Sequence, residues 1–318
     1  MIFRKIDPMV QLIVAAILLA TVLPVTGSNR ETAQLVSNAA VFLLFFFYGL
    51  RLPRHEVLAG LGNHRLLVPL IIWVFGAMGL AGWMLWQGSL ALAPAALAIG
   101  FLYLGVLPST VQSATVYTSL AGGNIASSVV AAALVNITGV FVSAPLFSLV
   151  AGSHGTAFHG ETLVKVVTML LLPFVVGQVM QGFTRQWVSG HRRFITIMDR
   201  SSIGIAVYVA FSGAVEQDIW SQVDLQVWAV LVVACAVLLL FGYGGAWLLG
   251  GLLRLPRGDR ITMLFAGAQK SIAMGAPLAT VLFPAAKAGI IMLPLLVYHL
   301  AQMVVAALVA ARLSRANA

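Results

Sequence analysis

The sequence predicts an all-α polytopic membrane protein: ten transmembrane helices in two inverted repeats of five, with the fourth and ninth helices broken. Three observations carry that expectation. Of 318 residues, 61% are hydrophobic and only 8% are charged, and a mean hydropathy of +1.01 lies outside the soluble globular range. Apolar runs recur along the whole chain at the roughly 20-residue length that a helix needs to cross a bilayer. Two polar, helix-weakening patches fall in the fourth and ninth of these runs. A β-barrel is excluded because the runs are continuously apolar, whereas barrel strands alternate their faces.

The spans are expected at Met9–Val25, Leu35–Leu50, Leu66–Trp86, Ala91–Ala121, Ile125–Val150, Leu163–Phe183, Ile195–Ala214, Val227–Leu253, Ile261–Phe283 and Gly289–Leu313. Basic residues support the count, because Lys and Arg near span ends favour the cytoplasmic side. Ten spans put fourteen of them on one side: Arg4, Lys5, Arg51, Arg54, Arg65, Arg185, Arg192, Arg193, Arg200, Arg254, Arg257, Arg260, Arg312 and Arg315. The other side receives Arg30, Lys165 and Lys287, together with the acidic connection of Glu216, Asp218 and Asp224. Both termini are therefore expected in the cytoplasm, and the protein in the inner (plasma) membrane if the source is bacterial. The first run has the basic start, apolar middle and small-residue end of a secretory signal, but it is longer than most signal cores and is read as a retained span. The net charge of +9 is explained by anionic lipid at the cytoplasmic surface, with no need of nucleic acid. The lone Cys235 rules out an internal disulfide and reads as a buried apolar thiol.

No linker or soluble domain interrupts the chain, and the longest polar connection is Arg185–Arg193. Residues 1–318 form one membrane domain, with the repeats at about 1–155 and 156–318. An odd-numbered unit repeated in tandem must insert its second copy upside down, and inverted repeats place a substrate site near the midplane where the halves meet.

The polar patches are "GVLPSTVQSATVYTSLAGGN", Gly105–Asn124, and "FAGAQKSIAMGAP", Phe265–Pro277. In the first, Pro108 removes a backbone donor, and Ser109, Thr110, Gln112, Ser113 and Thr115 can bond the freed groups. In the second, Gly267, Gly275 and Pro277 surround Gln269, Lys270 and Ser271. Both helices are expected to break there and to turn their partial charges into a shared cavity. Gln112 and Gln269 are candidate symmetry partners. "AGGN", Ala121–Asn124, is read as a tight turn between the fourth and fifth spans.

Lys270 lies near mid-depth of its run, where a lysine costs at least about 2.5 kcal/mol and is a functional hypothesis by default. All nine acidic residues lie in loops or near span ends, so no sequence neighbour neutralises it. Three solutions are open. The amine can release its proton and act in proton coupling, it can be neutralised by an anionic substrate, or it can stand where a metal cation would, bonded by carbonyls and amides of the broken helices. Asn136, Thr138, Ser128, Tyr298, His299 and Gln302 are further candidates to line the cavity, His299 being a side chain type that changes charge near neutral pH. The aromatic run Phe42–Leu50 is read as lipid-facing or packing surface.

These residues carry a resemblance. With ten spans covering nearly the whole chain, "LPSTVQSATVYTSLAGGNIA" at Leu107–Ala126 and "AGAQKSIAMGAPLA" at Ala266–Ala279 resemble the bile acid:sodium symporter (BASS/SBF) superfamily, most closely its SBF-like branch. The resemblance implies a core domain bearing two crossing broken helices, a separate panel domain, and alternating access between them. Ser128 and Gln269 match residues of the family's sodium sites, and would serve again if such a site persists here. The chain departs from the sodium-coupled members at Ala114 and Thr115 (Ser-Asn in the family), Ala132 (Thr), Phe265 (Glu) and Lys270 (Asn). A hard cation wants several oxygens and preferably a negative charge, so loss of the carboxylate with gain of a lysine predicts that sodium coupling is not inherited intact. Eukaryotic members of the branch are linked to calcium homeostasis, which implies a non-transporting regulator as the alternative function.

The expected function is a secondary active transporter of a small organic anion, with Lys270 at the midplane site and coupling to protons or to a degenerate sodium site. Lys270, Gln269, Ser271, Gln112, Ser113, Thr115, Ser109, Ser128, Asn136 and His299 are the expected substrate- or ion-binding residues. No metal site is assigned, and no cofactor beyond Na+ or H+ as coupling ion. The expected partners are the lipid bilayer and the anion; the sequence does not fix an oligomeric state. No G-x-S-x-G, H-E-x-x-H or paired membrane carboxylates occur, so an enzyme is not expected.

Overall fold

A computed structural model describes residues 8–51, 62–152, 164–216, 218, 221 and 223–315. Among these residues every regular element is a helix. We label them α1 (Pro8–Val22), α2 (Asn29–Arg51), α3 (His64–Ser89, with a π-helical turn at Ile72–Ala77), α4 (Ala95–Gly105), α5 (Gln112–Leu120), α6 (Ile125–Ala151), α7 (Val164–Gly190), α8 (Arg192–Glu216), α9 (Leu225–Leu252), α10 (Arg257–Ala268), α11 (Ile272–Leu282) and α12 (Ala285–Arg315). Seven of them, α2, α3, α6, α7, α8, α9 and α12, are long and apolar enough to cross a membrane, and α1 and α4 are shorter apolar helices. The expected fourth and ninth spans are both interrupted: α4 stops at Gly105 and α5 starts at Gln112, while α10 stops at Ala268 and α11 starts at Ile272. Arg4, Lys5 and Arg54 lie outside the described residues.

The chain divides into two compact units. One comprises 1–52, 157–224 and 276–292, the other 53–156, 225–275 and 293–318. In the first unit α2 and α7 pack through glycine, since a Cβ on Gly49 would lie 2.2 Å from Phe174 O and one on Gly177 would lie 2.2 Å from Phe46 O. Small residues let membrane helices approach where no hydrophobic force between them exists. Phe47, Leu50 and Ile195 form a buried cluster there. The one acidic residue inside a predicted span, Asp199, is buried and ion-paired with Arg51 of α2, whose guanidinium also lies 5.3 Å from the Tyr48 ring centroid. A buried carboxylate thus has its counter-charge within the same unit.

The sequence places a polar connection at Arg185–Arg193, but α7 runs to Gly190 and α8 begins at Arg192. The His191 N–H bonds Trp187 O at 3.0 Å and their rings stack at 4.7 Å. Hydropathy marks where lipid ends, not where helical hydrogen bonds end.

The second unit holds both interruptions. Its buried cluster joins Leu66, Leu67, Leu70, Val74 and Phe75 of α3 to Ala131 and Val135 of α6, Ala246 of α9, and Met263 and Ala266 of α10. The "AGGN" turn is a helix stop followed at once by a helix start. Gly122 has φ +72°, the Gly123 N–H reaches back to Thr118 O at 2.8 Å and the Gly122 N–H to Ser119 O at 3.1 Å. That is the Schellman pattern, which glycine closes without a Cβ clash. Asn124 then caps α6, its side chain accepting from the Ser127 N–H at 3.1 Å. The Asn124 amide also donates to Asp259 Oδ1 at 2.9 Å, and Asn63 donates to Asp259 Oδ2 at 2.9 Å, tying α3, α6 and α10 together at one carboxylate.

Glycine contacts also bring α4 onto α3. A Cβ on Gly105 would sit 2.7 Å from Met78 O and 3.0 Å from Gly82 Cα, backbone atoms that cannot swing aside. Gly105→Ala is therefore expected to cost about 1–3 kcal/mol by overpacking. Gly182→Ala, where the added methyl meets nothing within 4 Å, should be neutral or slightly stabilising; thermal unfolding of the two variants in the same detergent checks the contrast.

Candidate functional site

Breaking a helix inside a membrane leaves carbonyls and N–H groups that no water can satisfy, so each must find a protein partner. The interruption between α4 and α5 answers this residue by residue. Gly105 O accepts from Lys270 Nζ at 2.7 Å, Val106 O from Ser143 Oγ at 2.8 Å, Leu107 O from Lys270 Nζ at 2.8 Å, Pro108 O from the Ser271 N–H at 2.9 Å, and Ser109 O from Asn136 Nδ2 at 2.9 Å. Five consecutive carbonyls are partnered, three of them by Lys270 and Ser271 of the other interruption.

The second interruption is held in the same way. Ala268 O accepts from Tyr298 OH at 2.5 Å, the Lys270 N–H donates to Gln302 Oε1 at 2.8 Å, and Lys270 O accepts from Gln302 Nε2 at 3.0 Å. Ser271 starts α11, its Oγ accepting from the Met274 N–H at 3.2 Å. Tyr103 OH donates to Gly275 O one turn further on. Gln269 turns its Oε1 to Thr110 Oγ1 and Ser113 Oγ, each at 2.6 Å, so the side chain of one interruption is bonded by the other.

The Lys270 ammonium is completely buried. Its three donors go to Val74 O at 3.0 Å, Gly105 O and Leu107 O. One of these acceptors, Gly105 O, is at the C-terminal end of α4, where unsatisfied carbonyls carry the negative end of the helix dipole, and Leu107 O lies two residues beyond it. The third is freed by the π-helical turn of α3. There the Met78 N–H bonds Trp73 O, five residues back, and not Val74 O, four back. Arg30 pairs with Glu216, and Arg51 with Asp199. The Lys270 charge is thus met by carbonyl dipoles, with no described carboxylate paired to it.

Of the sequence-predicted residues, Lys270, Gln269, Ser271, Ser113, Asn136 and the backbone of Ser109 come together at the junction, and His299 reaches it through Gln302, whose Nε2 is 2.8 Å from His299 Nδ1. Gln112 is exposed at the first turn of α5. Thr115 and Ser128 form a looser hydroxyl group with Thr118, at 3.4 Å for each contact. Phe265, where the family resemblance has a glutamate, is buried between Tyr117, stacked at 6.0 Å, and Tyr243, edge-on at 6.2 Å. Aromatic packing fills the place of the carboxylate.

Sequence reasoning missed three contributors. Val74 takes part through a backbone carbonyl, which no side-chain pattern reveals; Pro69, three residues before the π-helical turn, was the available signal of irregular hydrogen bonding. Ser143 and Tyr103 sit in apolar runs as ordinary membrane-helix residues, and only the fold brings them to the freed carbonyls.

Fold and site define a polytopic helical membrane protein in which two interrupted helices meet around a buried cation. The SBF-like CPA transporter family model matches residues 7–315. The Escherichia coli K12 protein named "Putative symporter YfeH" is 36% identical over 315 residues, 99% of this chain and 95% of that one. A Pseudomonas aeruginosa protein is 34% identical over 304 residues, 95% of this chain and 91% of that one. The mouse protein named Sodium/bile acid cotransporter 7 is 24% identical over 285 residues, 87% of this chain and 83% of that one. The chain belongs to the SBF-like CPA transporter family, within the bile acid:sodium symporter superfamily, and is a membrane transporter of that kind.

Removing the ammonium strands three buried carbonyls, each at a cost of about 1–3 kcal/mol. Lys270→Met should therefore lower the unfolding midpoint of the detergent-purified protein by about 5 °C or more, whereas Lys287→Met, at an exposed position, should leave it within about 1 °C. An unshifted Lys270→Met midpoint would contradict the bonding described.

Proposed function

We propose that this protein is a secondary active transporter of a small organic anion that works by alternating access, with Lys270 as the resident positive charge of the midplane site. One observation carries the reading: an ammonium is held by three carbonyls where the two interruptions meet, and no described carboxylate is paired with it. Carbonyl dipoles satisfy its hydrogen bonds but do not cancel its unit charge, so the site attracts an anion. Because all three donors are engaged, the attraction acts through the field of the charge unless one carbonyl is released.

The arrangement of segments supports two inverted repeats. Each half contributes a first segment to one compact unit, 1–52 and 157–224, and a second to the other, 53–156 and 225–275. We assign the first unit to the panel and the second, which holds both interruptions, to the core. The basic residues orient both termini to the cytoplasm. Coupling passes through Lys270 itself. A protonated lysine does the work of a bound cation, and in its neutral form, with two N–H donors and a lone pair, it would leave one of the three carbonyls without a donor. A sodium site without the family's carboxylate would be degenerate, built on Ser128 and Gln269.

Two measurements test this. In proteoliposomes, uptake of organic anions from a mixed panel should follow an imposed proton or sodium gradient and fall at least about tenfold in Lys270→Asn; a panel with no uptake under either gradient overturns the carrier reading. If the ammonium stands where a cation would sit, Lys270→Asn vacates a position facing three carbonyl oxygens. Sodium should then raise the unfolding midpoint of the variant and not of the wild type, and sodium stabilisation of the wild type alone would count against it.

A further inference from the structure

The unwound backbone at Lys270 is clamped by one side chain, and the bonding of that clamp specifies the protonation of the histidine next to it. A glutamine amide can ordinarily be turned over without penalty to the fit, but here the backbone fixes it. The Lys270 N–H can only donate, and faces Gln302 Oε1 at 2.8 Å; the Lys270 carbonyl can only accept, and faces Gln302 Nε2 at 3.0 Å. The second hydrogen of Nε2 then points to His299 Nδ1, 2.8 Å away. A ring nitrogen facing a donor must present its lone pair, so neutral His299 carries its proton on Nε2.

A second proton on the ring would go to Nδ1 and set two donors head-on. Turning the amide over would give His299 an acceptor, but it would oppose Gln302 Nε2 to the Lys270 N–H and Gln302 Oε1 to the Lys270 carbonyl, breaking both bonds. Lys270 and Gln302 are fully buried and His299 is 7% exposed, so water is a poor substitute partner. Titratable side chains bonded into these turns of α12 include Tyr117 of α5, to Met303 O, Tyr243 of α9, to Gln302 O, and Cys235 of α9, to Pro294 O; Tyr298 of α12 itself bonds Ala268 O. The charged group on the adjoining interruption is the Lys270 ammonium.

We propose that His299 is a proton-binding, positioning residue: a proton on its Nδ1 and the Gln302 clamp on the Lys270 backbone exclude one another. By reciprocity, whatever holds the clamp shut keeps the proton off His299, and whatever protonates His299 loosens the segment that aims the ammonium at its three carbonyls. Its place in a transport cycle rests on the carrier reading above, as a second proton-responsive group beside Lys270; the exclusion itself does not.

The test uses the full-length protein in lipid nanodiscs and needs no substrate. Backbone hydrogen exchange of peptides spanning 266–275 is compared at about pH 8 and about pH 5, after correction for the intrinsic acceleration of exchange with pH. The wild-type segment is expected to open about tenfold more at the acid pH. In His299→Asn, whose side-chain oxygen accepts from Gln302 but takes up no proton, the acceleration should vanish. Equal opening of the wild type at both pH values overturns the proposal, and so does full acceleration in His299→Asn. Should that variant not fold, exchange of the imidazole ring C–H in the wild type titrates His299 individually; the backbone must loosen over the interval in which His299 gains its proton, and a protonated His299 beside a fully protected segment overturns the proposal equally. Failure here leaves anion transport standing, and absence of anion uptake leaves the clamp standing.

Discussion

The contact of one ammonium with the carbonyls of Val74, Gly105 and Leu107 resolves two problems that neither partner could solve alone. A lysine inside a membrane must have its three donors satisfied, and a helix that stops inside a membrane must have its last carbonyls satisfied. Each supplies what the other lacks, with the added attraction between a cation and the negative end of a helix dipole. Removing either side leaves a buried polar group whose desolvation is not recovered. The interruption of α4 and the presence of Lys270 are therefore one feature of the protein.

That feature makes demands on the surrounding helices. The Gly105 carbonyl reaches the ammonium because α4 lies against α3 closely enough that a Cβ would overlap the Met78 backbone. The Val74 carbonyl is released by the π-helical turn of α3. Carbonyls that the ammonium does not take are covered by Ser143, Asn136 and Ser271. On α10 the Phe265 ring, packed with Tyr117 and Tyr243, leaves no carboxylate to compete for the lysine. The second interruption is held through Gln302, Tyr298 and Tyr103.

Charges elsewhere in the spans are managed by local pairing. Arg51 meets Asp199 between α2 and α8, and Asp259 collects two amide donors at the start of α10. Unlike the Arg51–Asp199 pair, Lys270 is compensated by dipoles, and dipoles leave its net charge in place. This difference in kind, more than depth alone, is what the proposal of an anionic substrate rests on.

The sequence by itself determined the helical membrane class, the location of the two interruptions and the presence of a charge, Lys270, within one of them, because each depends on local composition: length of apolar run, proline and glycine within it, and a charge without a neighbour. Membership of the SBF-like family was legible in the same two patches. Which solution the lysine adopts in this structure could not be read, since the three possibilities differ only in what stands around it, and its acceptors come from residues about 160 to 200 positions away on other helices. Ser143 carries no sequence mark of its role, and Gln112 and Gln269, candidate symmetry partners in the chain, end up exposed and buried respectively. Hydropathy reports the medium a segment lives in, while a backbone carbonyl is the same in every residue; only folding decides which carbonyls are left without a partner and which side chain comes to meet them.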